Sequence, residues 1–182
     1  MSNEEGWEMV TYREGGSLKM FITLQAVQES EKEILRNLYA LYLHDLSTFT
    51  PHITIGANGF FEFEDLHMFW VNDGITPYFI KSDNDIVGFL LLLERPFLKK
   101  ENDFSIHDIF ILNQHKGKGI GKQVIENVLK EKRGQYFVIE LVKNVPAVSF
   151  WKKVYRELHI EFDEKIQLID DEECLVQTFK IQ

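Results

Sequence analysis

Glycines occupy alternate positions at Gly117, Gly119 and Gly121, between an apolar run ending at Leu112 and a run with Ile120, Val124, Ile125, Val128 and Leu129 at helical spacing. A chain that passes from strand to helix through such a stretch leaves several backbone N–H groups without intrahelical partners. Together they form a nest for an anion such as phosphate. The apolar run 136–142 beyond the helix completes a strand–helix–strand unit, whose right-handed crossover makes the two strands parallel. Residues 106–133 are therefore the centre around which the remaining chain is arranged.

Spacing narrows the phosphate ligand. A P-loop ending at Lys122 needs glycine six residues earlier and Ser or Thr one residue later, and those positions hold Lys116 and Gln123. A dinucleotide fingerprint needs its third glycine at position 122 and a place in the first strand–helix–strand unit, and neither condition is met. The pattern that fits is Q/R-x-x-G-x-G/A, from Gln114, Gly117 and Gly119.

Taken in order, residues 1–19 are a polar N-terminal extension in which Trp7, Met9, Val10 and Tyr12 form a short added strand. A single domain spans residues 20–182. Its first strand covers 21–27, and a helix follows with Ser30 and Glu33 as capping box and an apolar face of Ile34, Leu35, Leu38, Leu41 and Tyr42. A loop, 50–59, precedes a second short helix over 61–70. The turn residues Ser82–Asp83–Asn84–Asp85 join the strands of a hairpin, with Gly88 marking a bulge or a close backbone approach. A strand over 105–112 leads to the glycines, and the helix beyond them ends at Gly134 as C-cap. The strand 136–142 is apolar enough to be buried on both faces. Asn144 caps a further helix with Pro146 in its first turn, and two strands, 160–167 and 175–181, close the chain around the turn 170–173.

On these motifs the sequence resembles the GNAT superfamily of acyl-CoA-dependent N-acetyltransferases. The glycine loop is similar to that family's pyrophosphate loop. The segment from Asn144 through Ala147, Phe150 and Trp151 to Lys153 is similar to its N-x-x-A-x-x-F-Y-x-K motif. The resemblance implies an α/β (α+β) fold with a mixed, mainly antiparallel sheet, whose central parallel pair splays around acyl-CoA between helices on both faces. It implies acetyl transfer from acetyl-CoA, a co-substrate, to a primary amine by direct attack in a ternary complex. The acceptor is a small molecule or a protein amine. The implied cofactor contacts are the strand end Ile111, Leu112 and Asn113, then Gln114, Lys116, Gly117, Lys118, Gly119, Ile120, Gly121 and Lys122, and on the last helix Asn144, Ala147, Phe150, Trp151 and Lys153.

An ammonium has no lone pair, so the reaction calls for a general base. Asp108 stands where many family members carry an acid and ranks first, with His107 beside it on the strand and Glu140, a lone acid in an apolar strand, third. The family's thiolate-protonating Tyr is replaced by Trp151, whose indole N–H donates a hydrogen bond but transfers no proton. Tyr155, one helical turn on, is the substitute acid. The Trp substitution also supports an alternative, a non-catalytic acyl-CoA-binding sensor or scaffold of the same fold.

Charge bounds the partners. A net charge of -9 over 182 residues excludes a general nucleic-acid binder, while Lys116, Lys118, Lys122, Lys130, Lys132 and Arg133 form a basic patch at the glycine helix. The single cysteine, Cys174, rules out an internal disulfide and a multi-Cys zinc site, and no metal is expected. With no signal-peptide pattern and no apolar run of membrane-spanning length, the expectation is a cytoplasmic protein without a membrane partner. The aromatic residues Phe60, Phe61 and Phe69 leave a homodimer open.

Overall fold

The computed structural model describes residues 21–61 and 66–182. The added strand expected near Trp7 and positions 62–65 of the second helix lie outside the described residues. A seven-stranded sheet in the order β1-β2-β3-β4-β5-β7-β6 forms the frame, antiparallel at every pairing except β4 with β5.

Strand β1 (Ile22–Ala26) is followed by a 3₁₀ turn and helix α1 (Lys32–Leu46). The capping pair is Gln28 and Glu31 rather than Ser30 and Glu33: the Gln28 N–H donates to the Glu31 carboxylate at 3.0 Å, and the 3₁₀ turn takes up the residues between. Leu35, Leu38, Tyr39 and Leu43 form the buried stripe of α1. Helix α2 (Met68–Val71) is a single turn, much shorter than the 61–70 span expected. Of the aromatics there, Phe60 is 67% exposed, whereas Phe69 packs against Tyr39 with ring centroids 5.9 Å apart.

Strands β2 (Ile75–Ser82) and β3 (Asp85–Glu94) form the expected hairpin, and Asp83 and Asn84 both take positive φ in its two-residue turn. Gly88 serves both purposes assigned to it. The register slips beside it, between Ile80 and Lys81, and a Cβ at position 88 would lie 2.0 Å from the Phe110 carbonyl oxygen of β4 (Phe104–Ile111). That atom is backbone, so a side chain here forces the β3–β4 pair apart. Gly88→Ala should lower stability by about 2 kcal/mol, read as a drop in the urea midpoint at unchanged m-value; an unmoved midpoint would contradict the close approach.

Helix α3 (Ile120–Glu131) buries Ile120, Val124, Ile125, Val128 and Leu129 against one face of the sheet. Burying each such side chain contributes about 1.5–3 kcal/mol. Gly134 does not cap α3. The chain turns extended at Lys132, and Gly134 is the first residue of β5 (Gly134–Leu141), where a Cβ would come within 2.7 Å of the Asp103 carboxylate. Asp103 accepts from Gln135 N at 2.8 Å, and its own N–H donates to Gln135 O at 2.8 Å. Only there do β4 and β5 pair, at Phe104 with Tyr136 and Ser105 with Phe137. Beyond this base the two strands part.

The other expectation for β5 is corrected: it is buried on one face only. Tyr136, Val138 and Glu140 are buried, while Ile139 is 41% exposed. Helix α1 packs on β3, and the second face of β5 remains half open. Helix α4 (Val145–Glu157) lies on the same side as α3 and is capped as expected, Asn144 Oδ1 accepting from Ala147 N at 3.2 Å. Strands β6 (Phe162–Ile169) and β7 (Glu172–Ile181) finish the sheet around a turn in which Asp170 and Asp171 both have positive φ. Cys174 on β7 is buried, and burial pushes its thiol up.

Candidate active site

The parted ends of β4 and β5 open onto a cavity of about 840 Å³. The glycine loop forms one wall. After β4, Leu112 N donates to Val87 O at 2.8 Å, and residues Asn113–His115 make a 3₁₀ turn. Gly117 and Gly119 then adopt φ of 77° and 81°, a left-handed conformation that costs a non-glycine residue about 1–2 kcal/mol. Nothing lies within 4 Å of a Cβ built at either position, so these two glycines leave open space above the first turn of α3. Gly121 differs. Its Cβ would sit 3.1 Å from Phe150 Cε2, so this glycine also lets α3 and α4 approach each other.

From the loop, Lys116, Gly117, Gly119, Ile120, Gly121 and Lys122 border the cavity, with Ile111 at the strand end. From α4 and its cap come Asn144, Ala147, Phe150, Trp151 and Lys153. Gln114 and Lys118 instead border a second cavity of about 480 Å³, and His115 borders both. Leu112 and Asn113 have their carbonyls engaged by His115 N and Lys116 N, at 2.8 and 3.2 Å.

Two of the loop's lysines are already paired. Lys116 Nζ lies 2.9 Å from Asp45 Oδ2 at the end of α1, and Lys122 Nζ lies 2.8 Å from Glu157 Oε2 at the end of α4. Lys122 holds the Glu157 carboxyl below its usual range, chiefly through that hydrogen bond.

The far wall is built by residues that carried no motif signal: Tyr42, Asp45 and Leu46 of α1, and Thr48 and Phe49 after it. Behind it sits Asp108. Strand β4 bulges here, Leu91 pairing with Asp108 and Leu92 with Ile106, so His107 is the extra residue. The bulge sends Ile106 into the core under α3 and α4 and lets Asp108 meet α1. Asp108 Oδ2 accepts from Tyr39 Oη at 2.6 Å and Oδ1 from Tyr42 Oη at 2.7 Å. Burial, and then the adjacent carboxylate charge, hold both phenols well above their ordinary range. His107 is exposed on the bulge. Two phenols three residues apart on a leucine-rich helix face were the available clue.

Tyr155 faces the core and not the cavity. It is 1% exposed, stacks on Trp151 at 5.8 Å, and donates to Gln177 Oε1 at 2.9 Å. Gln177 Nε2 in turn donates to Glu164 at 2.7 Å. Burial first, then Glu140 and Glu164, raise the Tyr155 phenol far above the usual value. Glu140 is 6% exposed, and neither of its buried carboxylate oxygens has a hydrogen-bond partner. Among the described residues no group of three or more His, Cys, Asp or Glu side chains is placed to hold a metal ion, and no helix is long and apolar enough to cross a membrane.

The fold and this site define a class. The family model described as Acetyltransferase (GNAT) family matches residues 35–155, and the chain belongs to that family. Among solved structures it is similar to an acetyltransferase from Thermus thermophilus (TM-score 0.61, 14% identity, 86% of this chain and 95% of that one). An uncharacterized protein of Bacillus halodurans matches with a TM-score of 0.67 at 10% identity, over 98% of this chain and 92% of that one. The intermediate-state dodecameric spermidine N-acetyltransferase of Vibrio cholerae matches with a TM-score of 0.56 at 14% identity, over 87% and 93%. No curated protein matches the chain by sequence.

Proposed function

We propose that this protein transfers the acetyl group of acetyl-CoA to a primary amine by direct attack in a ternary complex. The observation that carries this reading is the cavity, which joins the open glycine nest to the wall of α1 along the end of β4, beyond the point where β4 pairs with β5. Neighbours described as spermidine and nourseothricin acetyltransferases support an amine acceptor.

The residues present fit a pyrophosphate-bearing ligand. Gly117 and Gly119 leave room beside the N–H groups that open α3, and Lys116 and Lys122 stand at the edge of that room. The free edge of β4 as far as Ile111 offers main-chain groups to an amide-containing arm. Acetyl-CoA supplies an activated acetyl group as a thioester. Asp108 is the base in this reading, and Trp151 offers its indole N–H to the departing sulfur. A thiol of modest pKa, roughly 8.5, leaves without a stronger acid. Trp151 in place of a tyrosine also favours a second reading, an acyl-CoA sensor that binds without turnover.

Acetyl-CoA at 100 times its Kd should stabilise the protein by about 2.7 kcal/mol, seen as a rise in Tm, whereas ATP should not. An unmoved Tm with acetyl-CoA would end both readings. Release of free thiol across a panel of primary amines separates them, since a sensor releases none.

A further inference from the structure

We infer that Tyr42 is the group that meets the incoming ammonium, and that it passes the ammonium's proton to Asp108. This inference rests on the acyl-transfer reading above and names both the proton path and the charge state in which the acceptor arrives. Asp108 does not itself border the cavity; Tyr42 does, and its hydroxyl is 2.7 Å from Asp108 Oδ1. A phenol that donates its proton to a carboxylate keeps its oxygen lone pairs for a second partner. In the proposed relay those lone pairs receive the incoming ammonium, Tyr42 bordering the cavity and Asp108 not.

The geometry is fixed in advance. The Tyr42 ring meets Tyr39 edge-on at 5.9 Å and Phe89 edge-on at 5.7 Å, and lies 6.0 Å from Phe110. Tyr39, stacked on Phe89 at 4.5 Å, donates to the other Asp108 oxygen and so holds the carboxylate in place. Tyr39 is therefore a positioning residue. Nearby, Asp45 of α1 and Lys116 of the loop pair with each other at 2.9 Å, and the cavity is also lined by His115, Lys122, Lys153 and Glu157. His107 beside Asp108 is exposed on the bulge, and opposite Asp108 the strand β3 contributes apolar Leu91.

The step balances. One ammonium N–H bond breaks as an O–H bond forms on Tyr42, and the original Tyr42 O–H proton moves to Asp108 Oδ1. The amine gains a lone pair, Tyr42 ends as a phenol, and Asp108 ends as a neutral acid. A cation and an anion become two neutral groups, which a partly buried site favours. Burial and the Asp108 charge oppose a free phenolate, so the two transfers are coupled. The acceptor class that uses such a relay is a primary amine bound as its cation.

The test is Tyr42→Phe, which keeps the ring and removes the relay. With whichever amine of the panel the native protein acetylates, kcat/KM should fall on the order of 100-fold near neutral pH. The variant must wait for free amine from bulk water. Its kcat/KM should therefore climb tenfold per pH unit up to the acceptor's own pKa, a slope the native protein does not follow. The acetyl-CoA shift in Tm should be unchanged, and Tyr39→Phe should lose less than tenfold. A native-like rate in Tyr42→Phe would overturn the inference while leaving acyl transfer standing. So would a loss uniform across pH, which assigns Tyr42 to packing. A native protein that releases no thiol with any amine fails at the earlier step.

Discussion

Gly119→Glu is expected to abolish the thermal stabilisation by acetyl-CoA and, with it, any thiol release. Two effects separate cleanly at this position. The backbone sits at φ 81° with no atom within 4 Å of a Cβ placed there, so the structural loss is confined to left-handed strain, about 1–2 kcal/mol. The binding loss is larger, because a carboxylate then stands in the open space beside the N–H groups that begin α3 and accepts from them itself. Gly117→Ala is the matched control. It carries the same strain, at φ 77°, without charge. Its own Tm should drop by a similar amount while most of the ligand-induced rise survives. Thermal melts of the three proteins with and without acetyl-CoA decide the matter; an undiminished rise in Gly119→Glu would show that the nest is not the binding site.

Glu140→Gln should make the protein more stable, and more so at high pH. The carboxyl is 6% exposed and has no hydrogen-bond partner for either oxygen. Burial first, and then the negative charge of Glu164, raise it from 4.5 to about 7 against an opposing contribution from Lys152. The folded protein then holds a proton that the unfolded chain has already released between those two values. Stability attributable to this group is complete below pH 4.5 and is lost as pH rises to about 7. This is opposite in sign to an ion-paired carboxylate. A shift of that size corresponds to about 3 kcal/mol above pH 7, or roughly 6–12 °C in Tm for a chain of this length. The amide removes the titration, so the gain should be near its full size at pH 8 and below about 1 kcal/mol at pH 5. Urea titrations at the two pH values measure it; equal gains at both would show that ionisation of Glu140 is not the source.

The elements legible in the sequence are those whose chemistry is local. The glycines, the Asn144 cap with Pro146, and the Asp-Asn and Asp-Asp turns each impose backbone geometry within a few residues. The order of strands and helices followed from them. Features set by tertiary contact were harder to read. The bulge at His107 inserts one residue with no compositional mark, yet it decides that Ile106 and Asp108 face opposite sides of the sheet. Gly134 looked like a helix cap, but its absence of a side chain answers to Asp103, 31 positions earlier. Gly121 borders the cavity with the other loop glycines and also answers to Phe150 on another helix. Tyr42 read as part of an apolar stripe and Tyr39 carried no motif signal, yet both are packed on α1 with hydroxyls that find Asp108. Tyr155 shows the converse: helical spacing put it beside Trp151, and packing turned its hydroxyl inward.

The ion pairs from Lys116 to Asp45 and from Lys122 to Glu157 have a consequence for traffic at the cavity mouth. The loop carries its own counter-ions. An anion reaching these lysines competes with the carboxylates already paired to them. Those carboxylates, Asp45 at the tip of α1 and Glu157 at the tip of α4, sit on helices on opposite sides of the sheet, and Glu157 also pairs with Lys153 at 3.8 Å. The loop is thus tied by charge to a helix on each face of the sheet.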